Sequence, residues 1–466
     1  MSTPREIEGR WWLPTKPDEV WFGKLVEDAD GRLTLTTQEM KSLTMAEIFK
    51  GDFRLKTEPL ICGRDAGDKP VSLLHCNDYG THGSFGMFTR KIGGAFALLG
   101  FEAEAQDKVR FSRVLADFTH LQAWLDLSCL SHEEEDGTTQ ISYRYPKDVP
   151  FTLADGTRVT IRAKLNSKFS GKGFGGWSET KYEFSEQRHL EFAFPQPLRL
   201  TEIITRILSI RWLLTLLVSR PVHLTKLTAL LPDVLDEGKP EQSIEVLGSH
   251  LDRSESPKSP HPSEMLASFA EVQPTFVELL DRWRDYHHRL AAVLPLYFSI
   301  RFNDELYSNH RFLFLAQALE VYHAVTSNSA IAPTAEYKAR LKRVLESVPE
   351  EDREWVGEGL RFANKKTLAQ RLDEILGRHP TEAARIVGDM LDFADKIRHT
   401  RNYYTHFEER LKKLGKVASD AEIILLTERM QRLLEVCFLK DLGLDGGPVR
   451  KVVGKPLPRV VMVDLQ

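Results

Sequence analysis

The stretch RFLFLAQALEVYHAV, Arg311–Val325, carries the clearest structural signal in this 466-residue chain. Its apolar side chains, together with the semi-polar His323, recur at steps of three and four residues, which places them on one face of an α-helix. These positions are Phe312, Leu315, Ala316, Leu319, Tyr322 and His323. The stretch therefore predicts a helix that packs against a core of other helices.

The sequence around this stretch continues the helical pattern from Glu264 to the C-terminus. Further helices are predicted over Ala335–Val348, Thr367–Gly377, Thr381–Ile397 and Asp420–Leu439. Thr381, which follows Pro380, is predicted as an N-cap, and Ser419 with Glu422 fits a capping box. Residues 264–466 are accordingly predicted to form an all-α helical bundle.

The N-terminal part has a different pattern, in which apolar and polar residues alternate. Alternation over Gly31–Thr36 is typical of a half-buried strand, and Phe151–Arg162 reads as a hairpin with Asp155 and Gly156 in its turn. Strands are also predicted at Lys181–Phe184 and Leu190–Phe194. A β-rich, sandwich-like domain with attached helices is therefore expected over residues 1–235.

An apolar segment, Leu200–Leu217, closes this first domain and predicts a covered helix. The polar stretch that follows, residues 236–263, contains four prolines and is predicted to be a linker or loop. Together these patterns predict an α+β chain with a β-rich N-terminal domain and a helical C-terminal domain.

The composition excludes several classes of protein. Hydrophobic residues make up 42% of the chain, which excludes disorder as its dominant state, and the formal net charge of −4 gives no sign of a polybasic membrane or nucleic-acid binder. The four cysteines form no C-x-x-C pair, which argues against a zinc ribbon and a disulfide framework and indicates a reducing compartment.

No targeting or membrane segment is predicted. The start of the sequence shows no apolar run after its first charges, and Ile203–Ser219 carries Arg206 and Arg211 and is shorter than the ~20 apolar residues of a membrane span. A cytoplasmic location is expected.

The chemistry-bearing segment is Arg401-Asn402 followed four residues later by His406. With 36 Arg, 15 His and 7 Asn in the chain, an Arg followed five residues later by His should occur about once by chance, but with Asn directly after the Arg only about 0.02 times. The segment is therefore moderately specific. Residues 385–416 carry eight Lys or Arg and five Asp or Glu, a local excess of positive charge in an acidic chain.

On a helix, Asn402 and His406 share a face, whereas Arg401 and His406 diverge by about 140°. Two arrangements could bring Arg401 and His406 to one phosphate. Arg401 could stand at the start of a helix, or two copies of the segment could face each other across a symmetric dimer.

These residue types suffice for RNA cleavage without a metal. Arginine can stabilise the negative charge of a pentacoordinate phosphate through a bidentate contact, and histidine can take or give a proton near neutral pH. Asn402 can orient the imidazole or the phosphate. RNA is the expected substrate because the internal nucleophile would be the 2′-hydroxyl.

The Arg-Asn-x-x-x-His segment, preceded by a helix with Ala318-Leu319-Glu320, resembles the HEPN (higher eukaryotes and prokaryotes nucleotide-binding) superfamily. Its catalytic members are metal-independent ribonucleases with an R-x(4–6)-H motif that acts across a dimer. The run Glu8–Pro14, followed by Phe22–Leu25 and Gly31–Leu35, resembles the start of ApeA-type anti-phage proteins, which join an N-terminal domain of their own to a C-terminal HEPN domain.

This resemblance implies roles for four residues. Arg401 would contact the scissile phosphate, Asn402 would be the polar residue beside it, His406 would be the catalytic histidine, and Glu320 would hold the arginine. Glu408 stands where some HEPN toxins have a modifiable tyrosine, so regulation through such a tyrosine is not expected.

The resemblance also implies an anti-phage endoribonuclease that needs neither metal nor cofactor and works as a homodimer or higher oligomer. Its RNA substrates would include tRNA, and its trigger would be a phage protein. Cleavage would stop translation and abort the infection. The N-terminal domain, which shows no catalytic set, is the expected sensor.

Three other interpretations stay open at this stage. The motif could be the start of a structural helix, with Asn402 as its cap, Arg401 solvated and His406 packed. The fold could serve as a non-catalytic HEPN binding module that contacts a protein. The Gly171–Gly176 segment matches G-x-G-x-x-G and could bind a nucleotide, although a strand rather than a helix is predicted after it.

Overall fold

A computed structural model describes residues 4–40, 58–84, 87–144, 148–170, 181–231, 242–251 and 258–458. The chain divides into two compact units, residues 1–281 and 282–466. The Gly171–Gly176 segment lies outside the described residues.

The first unit is built mainly of strands. In chain order these are β1 (Arg5–Leu13), β2 (Lys16–Glu27), β3 (Leu33–Met40), β4 (Glu58–Asp65), β5 (Pro70–Ser84), β6 (Met87–Gly94), β7 (Phe96–Leu99), β8 (Arg110–Phe118), β9 (Leu130–Glu135), β10 (Thr138–Tyr143), β11 (Val149–Thr152), β12 (Arg158–Ser170), β13 (Lys181–Arg199), β14 (Leu224–Leu230) and β15 (Ser243–Leu247). The β-rich prediction for this part of the chain is confirmed.

Thirteen of the described strands form one sheet in the order β11-β12-β13-β8-β14-β15-β7-β5-β4-β1-β2-β3-β6, and β9 and β10 form a separate hairpin. Because β5 also pairs with β6, the last six strands of that order close into a ring. One part of the sheet therefore closes on itself, where a sandwich-like arrangement was expected.

Alternating side chains of the ring strands fill its interior. Trp11, Leu35, Ile61 and Leu73 are fully buried there, as the period-two pattern of their strands predicts. Gly63 on β4 lies beneath the ring of Trp11, and a Cβ at this position would meet that ring at 2.4 Å. Glycine is thus required at residue 63 for this tryptophan to pack.

The predicted hairpin is confirmed, since β11 and β12 flank a turn in which Gly156 has φ of +81°. The two strands predicted at Lys181–Phe184 and Leu190–Phe194 are parts of one long strand, β13. The polar stretch 236–263 contains a short strand, β15, so its prediction as linker or loop is wrong over Ser243–Leu247. Buried Ile244 and Val246 are the apolar residues that place this strand in the sheet.

Helices make up most of the second unit and a small part of the first. They are α1 (Leu121–Leu125), α2 (Leu200–Val218), α3 (Phe269–Val272), α4 (Phe276–Arg289), α5 (Leu294–Phe302), α6 (Ser308–Thr326), α7 (Thr334–Glu346), α8 (Arg353–Leu360), α9 (Leu368–Arg378), α10 (Pro380–Val387), α11 (Phe393–His406), α12 (Glu409–Lys413), α13 (Asp420–Asp441) and α14 (Gly447–Gly454). The predicted covered helix is confirmed as α2.

The first unit extends further along the chain than residue 235. Trp124 donates from its indole Nε1 to the carbonyl of Ala267 at 2.8 Å, and its ring contacts Phe269 and Phe276. These contacts hold residues 267–276 to the first unit, although the sequence pattern placed the start of the helical domain at Glu264.

The core of the second unit lies between α6 and α13. The helical face predicted for Arg311–Val325 is buried as expected, with Phe312, Leu315 and Leu319 fully buried. Two tyrosines of this core, Tyr286 and Tyr322, donate to the same carboxylate oxygen of Asp441, at 2.9 and 2.8 Å. Their hydroxyl groups are therefore satisfied within the bundle.

One predicted helix is divided in the structure. Thr381–Ile397 was expected to be continuous, but α10 ends before Gly388, which has φ of +59°, and α11 begins at Phe393. Thr381 is not the N-cap, because His379 holds that position and Pro380 is the first helical residue, where its missing N–H costs nothing. The Ser419 capping box at the start of α13 is confirmed.

Candidate active site

Helix α11 carries all three residues of the sequence motif and packs against α6 and α9. It is continuous from Phe393 to His406, so Arg401 and Asn402 lie inside it and His406 is its last residue. Arg401 therefore does not stand at the start of a helix, which removes the first of the two arrangements that could bring it to the same phosphate as His406. On this continuous helix the two side chains leave the axis about 140° apart.

The buried side of α11 fixes the helix in place. Ile397, Thr400 and Tyr403 are buried, and the Thr400 hydroxyl accepts a hydrogen bond from the Ala418 amide at 2.9 Å. Tyr403 also stacks on Phe407, with ring centroids 5.6 Å apart. Phe407 follows the helix as its C-cap and has left-handed backbone with φ of +56°.

Arg401 is held by a carboxylate from another helix. Its Nη2 lies 2.5 Å from Oε2 of Glu320 on α6, and its Nη1 donates to Oδ1 of the neighbouring Asn402 at 3.3 Å. The pair is partly open to solvent, with the Arg401 and Glu320 side chains 25% and 28% exposed. The structure thus brings Glu320 together with Arg401 and Asn402, the two neighbouring residues of the sequence motif.

A second arginine approaches the same glutamate. Arg371 on α9 donates from Nη1 to the backbone carbonyl of Glu320 at 3.2 Å, and the same nitrogen lies 3.9 Å from Oε1 of Glu320. Arg371 also donates from Nε to the carbonyl of Lys366 at 3.0 Å. Two guanidinium groups and one carboxylate therefore meet here, which leaves the cluster with a positive formal charge.

His406 is exposed at the end of α11. Within the part of the chain that the structure describes, no group forms a hydrogen bond with its imidazole ring. Arg401 is paired rather than solvated, Asn402 is inside a helix rather than capping one, and His406 is exposed rather than packed. The interpretation of the motif as the start of a structural helix is therefore wrong in each of its three parts.

His399 is a fourth polar residue on this side of α11, three residues before Asn402 and seven before His406. Its Nε2 accepts a hydrogen bond from Nη2 of Arg398 at 3.0 Å, because a guanidinium group can only donate. Burial, together with the charges of Arg398 and Lys416, lowers the pKa of His399 below its ordinary value. These effects favour the neutral form of the His399 imidazole.

Sequence reasoning missed Arg371 and His399. His399 had a readable signal, since helical spacing places it on the face of Asn402 and His406. Arg371 had none, because its contact with Glu320 joins residues 51 positions apart. None of the described residues forms a cluster of three or more His, Cys, Asp and Glu side chains suited to a metal ion.

A helical unit whose Arg-Asn-x-x-x-His helix has its arginine held by a glutamate of an earlier helix has the features that the HEPN resemblance implied. The family model described as Apea-like HEPN matches residues 313–447, and the one described as ApeA N-terminal domain 1 matches residues 6–283. The chain belongs to the ApeA family, and this membership associates it with defence-related nuclease function.

No curated protein and no solved structure gives a significant match to the chain. No described helix is both long enough and apolar enough to cross a membrane.

Proposed function

We propose that this protein is a cytoplasmic, metal-independent endoribonuclease of anti-phage defence, and that Arg401 and His406 cleave RNA by attack of the 2′-hydroxyl. The observation that carries the proposal is the anchored guanidinium of Arg401 on the same short helix as the exposed imidazole of His406. The first is a fixed positive charge for a phosphate, and the second is a proton carrier open to substrate.

The proposed step begins with removal of the 2′-hydroxyl proton by a neutral imidazole. The 2′-oxygen forms a bond to phosphorus, and the bond between phosphorus and the 5′-oxygen breaks. The leaving 5′-oxygen takes up the proton that the imidazole removed, which gives a 5′-hydroxyl end and a 2′,3′-cyclic phosphate end and restores the neutral imidazole. Arg401 stabilises the negative charge that develops on the non-bridging oxygens.

Glu320 and Asn402 have supporting roles in this scheme. Glu320 fixes one edge of the Arg401 guanidinium, so the other edge can face the phosphate without a large loss of side-chain entropy. Asn402 accepts from Nη1 of Arg401 through Oδ1, and its amide nitrogen can donate to the substrate.

A homodimer completes the proposed site. Arg401 and His406 of one copy diverge on a continuous helix, so a second α11 related by two-fold symmetry would supply the groups that one chain directs elsewhere. We further propose that the N-terminal unit is the sensor, that a phage protein is the trigger, and that tRNA is among the substrates.

The test uses purified wild-type protein with total bacterial RNA and with tRNA, in the presence of EDTA. Cleavage should survive chelation, leave 2′,3′-cyclic phosphate ends and disappear in Arg401→Ala and His406→Ala. His288→Ala is the matched control, because His288 is also an exposed histidine in the last turn of a helix, α4. This control should cleave like wild type.

Infected cells decide the outcome if the purified protein awaits its trigger. Wild type and His288→Ala should protect the culture, whereas Arg401→Ala and His406→Ala should not. Full protection by both motif variants would overturn the nuclease proposal and leave a non-catalytic binding module.

A further inference from the structure

A helical hairpin, which we call the arm (residues 328–366), lies between α6 and α9 and contains α7 and α8. None of its residues is buried, unlike the helices on either side. Its two chain ends are joined by an antiparallel bridge between Ala330 and Lys365 and by two hydrogen bonds between Asn364 and Ala332, at 2.8 and 3.0 Å. The arm is therefore a defined element that adds no side chain to the core.

The charges of the arm are separated along its length. The base half (residues 328–343 and 359–366) contains seven Lys or Arg and one Glu, whereas the distal half (residues 344–358) contains six Asp or Glu and one Arg. Six of the seven base-half cations have exposed side chains. A polyanion would therefore be attracted to the base half and repelled by the distal half.

The base half also presents an exposed aromatic ring between cations. Phe362 is 60% exposed, and Nζ of Lys365 and Cζ of Arg361 lie 4.7 and 5.5 Å from its ring centroid. On α7, Lys338 and Lys342 are one turn apart and line an open cleft. Cations that can contact phosphates beside a ring that can stack on a base are typical of single-stranded nucleic-acid binding.

The base half is connected to the candidate active site by a chain of contacts. The carbonyl of Lys366 accepts from Nε of Arg371 at 3.0 Å, and Nη1 of Arg371 donates to the carbonyl of Glu320 at 3.2 Å. Glu320 in turn pairs with Arg401. The positive end of the arm therefore begins where the proposed catalytic arginine is anchored.

We propose that the base half of the arm binds single-stranded RNA next to the candidate active site, with phosphates on Lys338, Lys342 and Lys365 and one base stacked on Phe362. This inference rests on the proposed function, in which RNA is the substrate. The arm would hold the strand on one side of the scissile bond, and the acidic distal half would limit how far the strand extends along it.

The test is the affinity of the full-length His406→Ala chain for a short labelled single-stranded oligoribonucleotide, measured by fluorescence anisotropy. Phe362→Ala in this background should weaken binding about tenfold. Trp355→Ala is the matched control, because Trp355 is an even more exposed aromatic residue, at 78%, on the acidic half of the same arm. That control should bind like its parent.

Charge reversal gives a second readout. The double variant Lys338→Glu and Lys342→Glu should lose more than tenfold in affinity, and the slope of log affinity against log salt should become shallower by about 1.4, since each lost phosphate contact on a single strand contributes about 0.7. Because all four substituted side chains are exposed or line an open cleft, the variants should keep the unfolding midpoint of their parent.

Unchanged RNA affinity in Phe362→Ala and in the lysine double variant would overturn the inference. If those variants bind RNA normally but fail to protect cells, the base half binds a protein instead of RNA. That result would also overturn the inference. Binding is measured in the His406→Ala chain, which is not expected to cleave. Loss of binding in the arm variants therefore supports RNA binding by the arm even if no cleavage is found. If the arm variants bind RNA normally and cleavage is found, the proposed function would hold, but the arm would have no part in RNA binding.

Discussion

Two arginine–glutamate pairs of this chain have the same separation but different surroundings. In the N-terminal unit Nη2 of Arg188 lies 2.5 Å from Oε1 of Glu186, and the side chains are only 3% and 5% exposed. In the helical unit Arg401 and Glu320 are also 2.5 Å apart but are 25% and 28% exposed. A closed pair can only hold its own unit together, whereas a half-open pair can present its guanidinium to a ligand.

The neighbours of the two pairs strengthen this contrast. Arg188 also donates from Nη2 to the carbonyl of Leu127 at 2.9 Å, and Glu186 accepts from the Cys129 amide at 2.9 Å. Besides its bond to Glu320, the Arg401 side chain makes only the 3.3 Å hydrogen bond to Asn402 among the described residues. The two arginine–glutamate pairs therefore differ in their access to solvent. This difference, and not the pairing itself, separates the structural role of one pair from the chemical role of the other.

The largest expected effect is on RNA cleavage, when Arg401 of the half-open pair or His406 on the same helix is replaced. His406→Ala should lower the cleavage rate about 10²- to 10⁴-fold, because the proposed proton carrier would be lost, and Arg401→Ala about 10²- to 10³-fold. Single-turnover rates on tRNA measure both. Rates within twofold of wild type for either variant would contradict the assignment of the site.

The closed pair should give the largest effect on stability. Arg188→Ala leaves the Glu186 carboxylate buried without its cation, which should lower the free energy of unfolding of the N-terminal unit by about 3–5 kcal/mol. Urea denaturation followed by tryptophan fluorescence measures this loss. The double variant Arg188→Met and Glu186→Gln should recover most of it, and a loss below about 1 kcal/mol in the single variant would remove the contrast.

A smaller effect is expected when the carboxylate of the half-open pair is removed. Glu320→Ala should lower the cleavage rate constant about tenfold with little change in KM, because Arg401 would lose its fixed position, and should cost under about 1 kcal/mol of stability. Glu320→Gln keeps an acceptor and should recover part of the rate.

The matched control for Glu320 is Glu382→Gln. Glu382 pairs with Lys440 at 2.9 Å in the same unit, and its exposure is similar. If this control slows cleavage as much as Glu320→Gln does, the effect is a general one on the bundle and not one on Arg401.

The smallest effect concerns acid stability of the helical unit. Burial lowers the pKa of His323, and hydrogen bonds from Lys366 and His323 lower the pKa of Glu374. The unfolded chain therefore takes up protons before the folded chain does, so stability should fall as pH drops below about 6.5 and fall further near the ordinary pKa of Glu.

Thermal unfolding at pH 7.5 and 5.5 measures this dependence. His323→Leu should shrink the difference between the two midpoints, although it removes the 2.7 Å hydrogen bond to Glu374. An unchanged difference would show that other groups control the acid sensitivity.

The sequence predicted local structure well because hydrophobic period is a local property. The spacing in Arg311–Val325 gave α6 and its buried face, and alternation gave β3 and the β11–β12 hairpin. The same period shows which face of a strand is buried but not which strand lies beside it. The closed ring, made by pairing β5 with β6, therefore could not be read from alternation alone.

The candidate site was predictable to a similar degree. The rare Arg-Asn-x-x-x-His spacing pointed to Arg401 and His406, and family resemblance pointed to Glu320, which the structure places against Arg401 across 81 residues. The contact of Arg371 with Glu320 and the break at Gly388 depend on packing between distant segments. No pattern within a single helix carries that information.

The arrangement of the sheet has a consequence for how copies of the chain can associate. One end of the described sheet is closed, since β6 returns to β5, and the other end is β11, a four-residue strand that contains Pro150. Proline lacks the N–H that an added strand would need, so this end is a poor template for growth of the sheet by another molecule. Concentrated protein should therefore resist fibril formation from this edge of the described sheet.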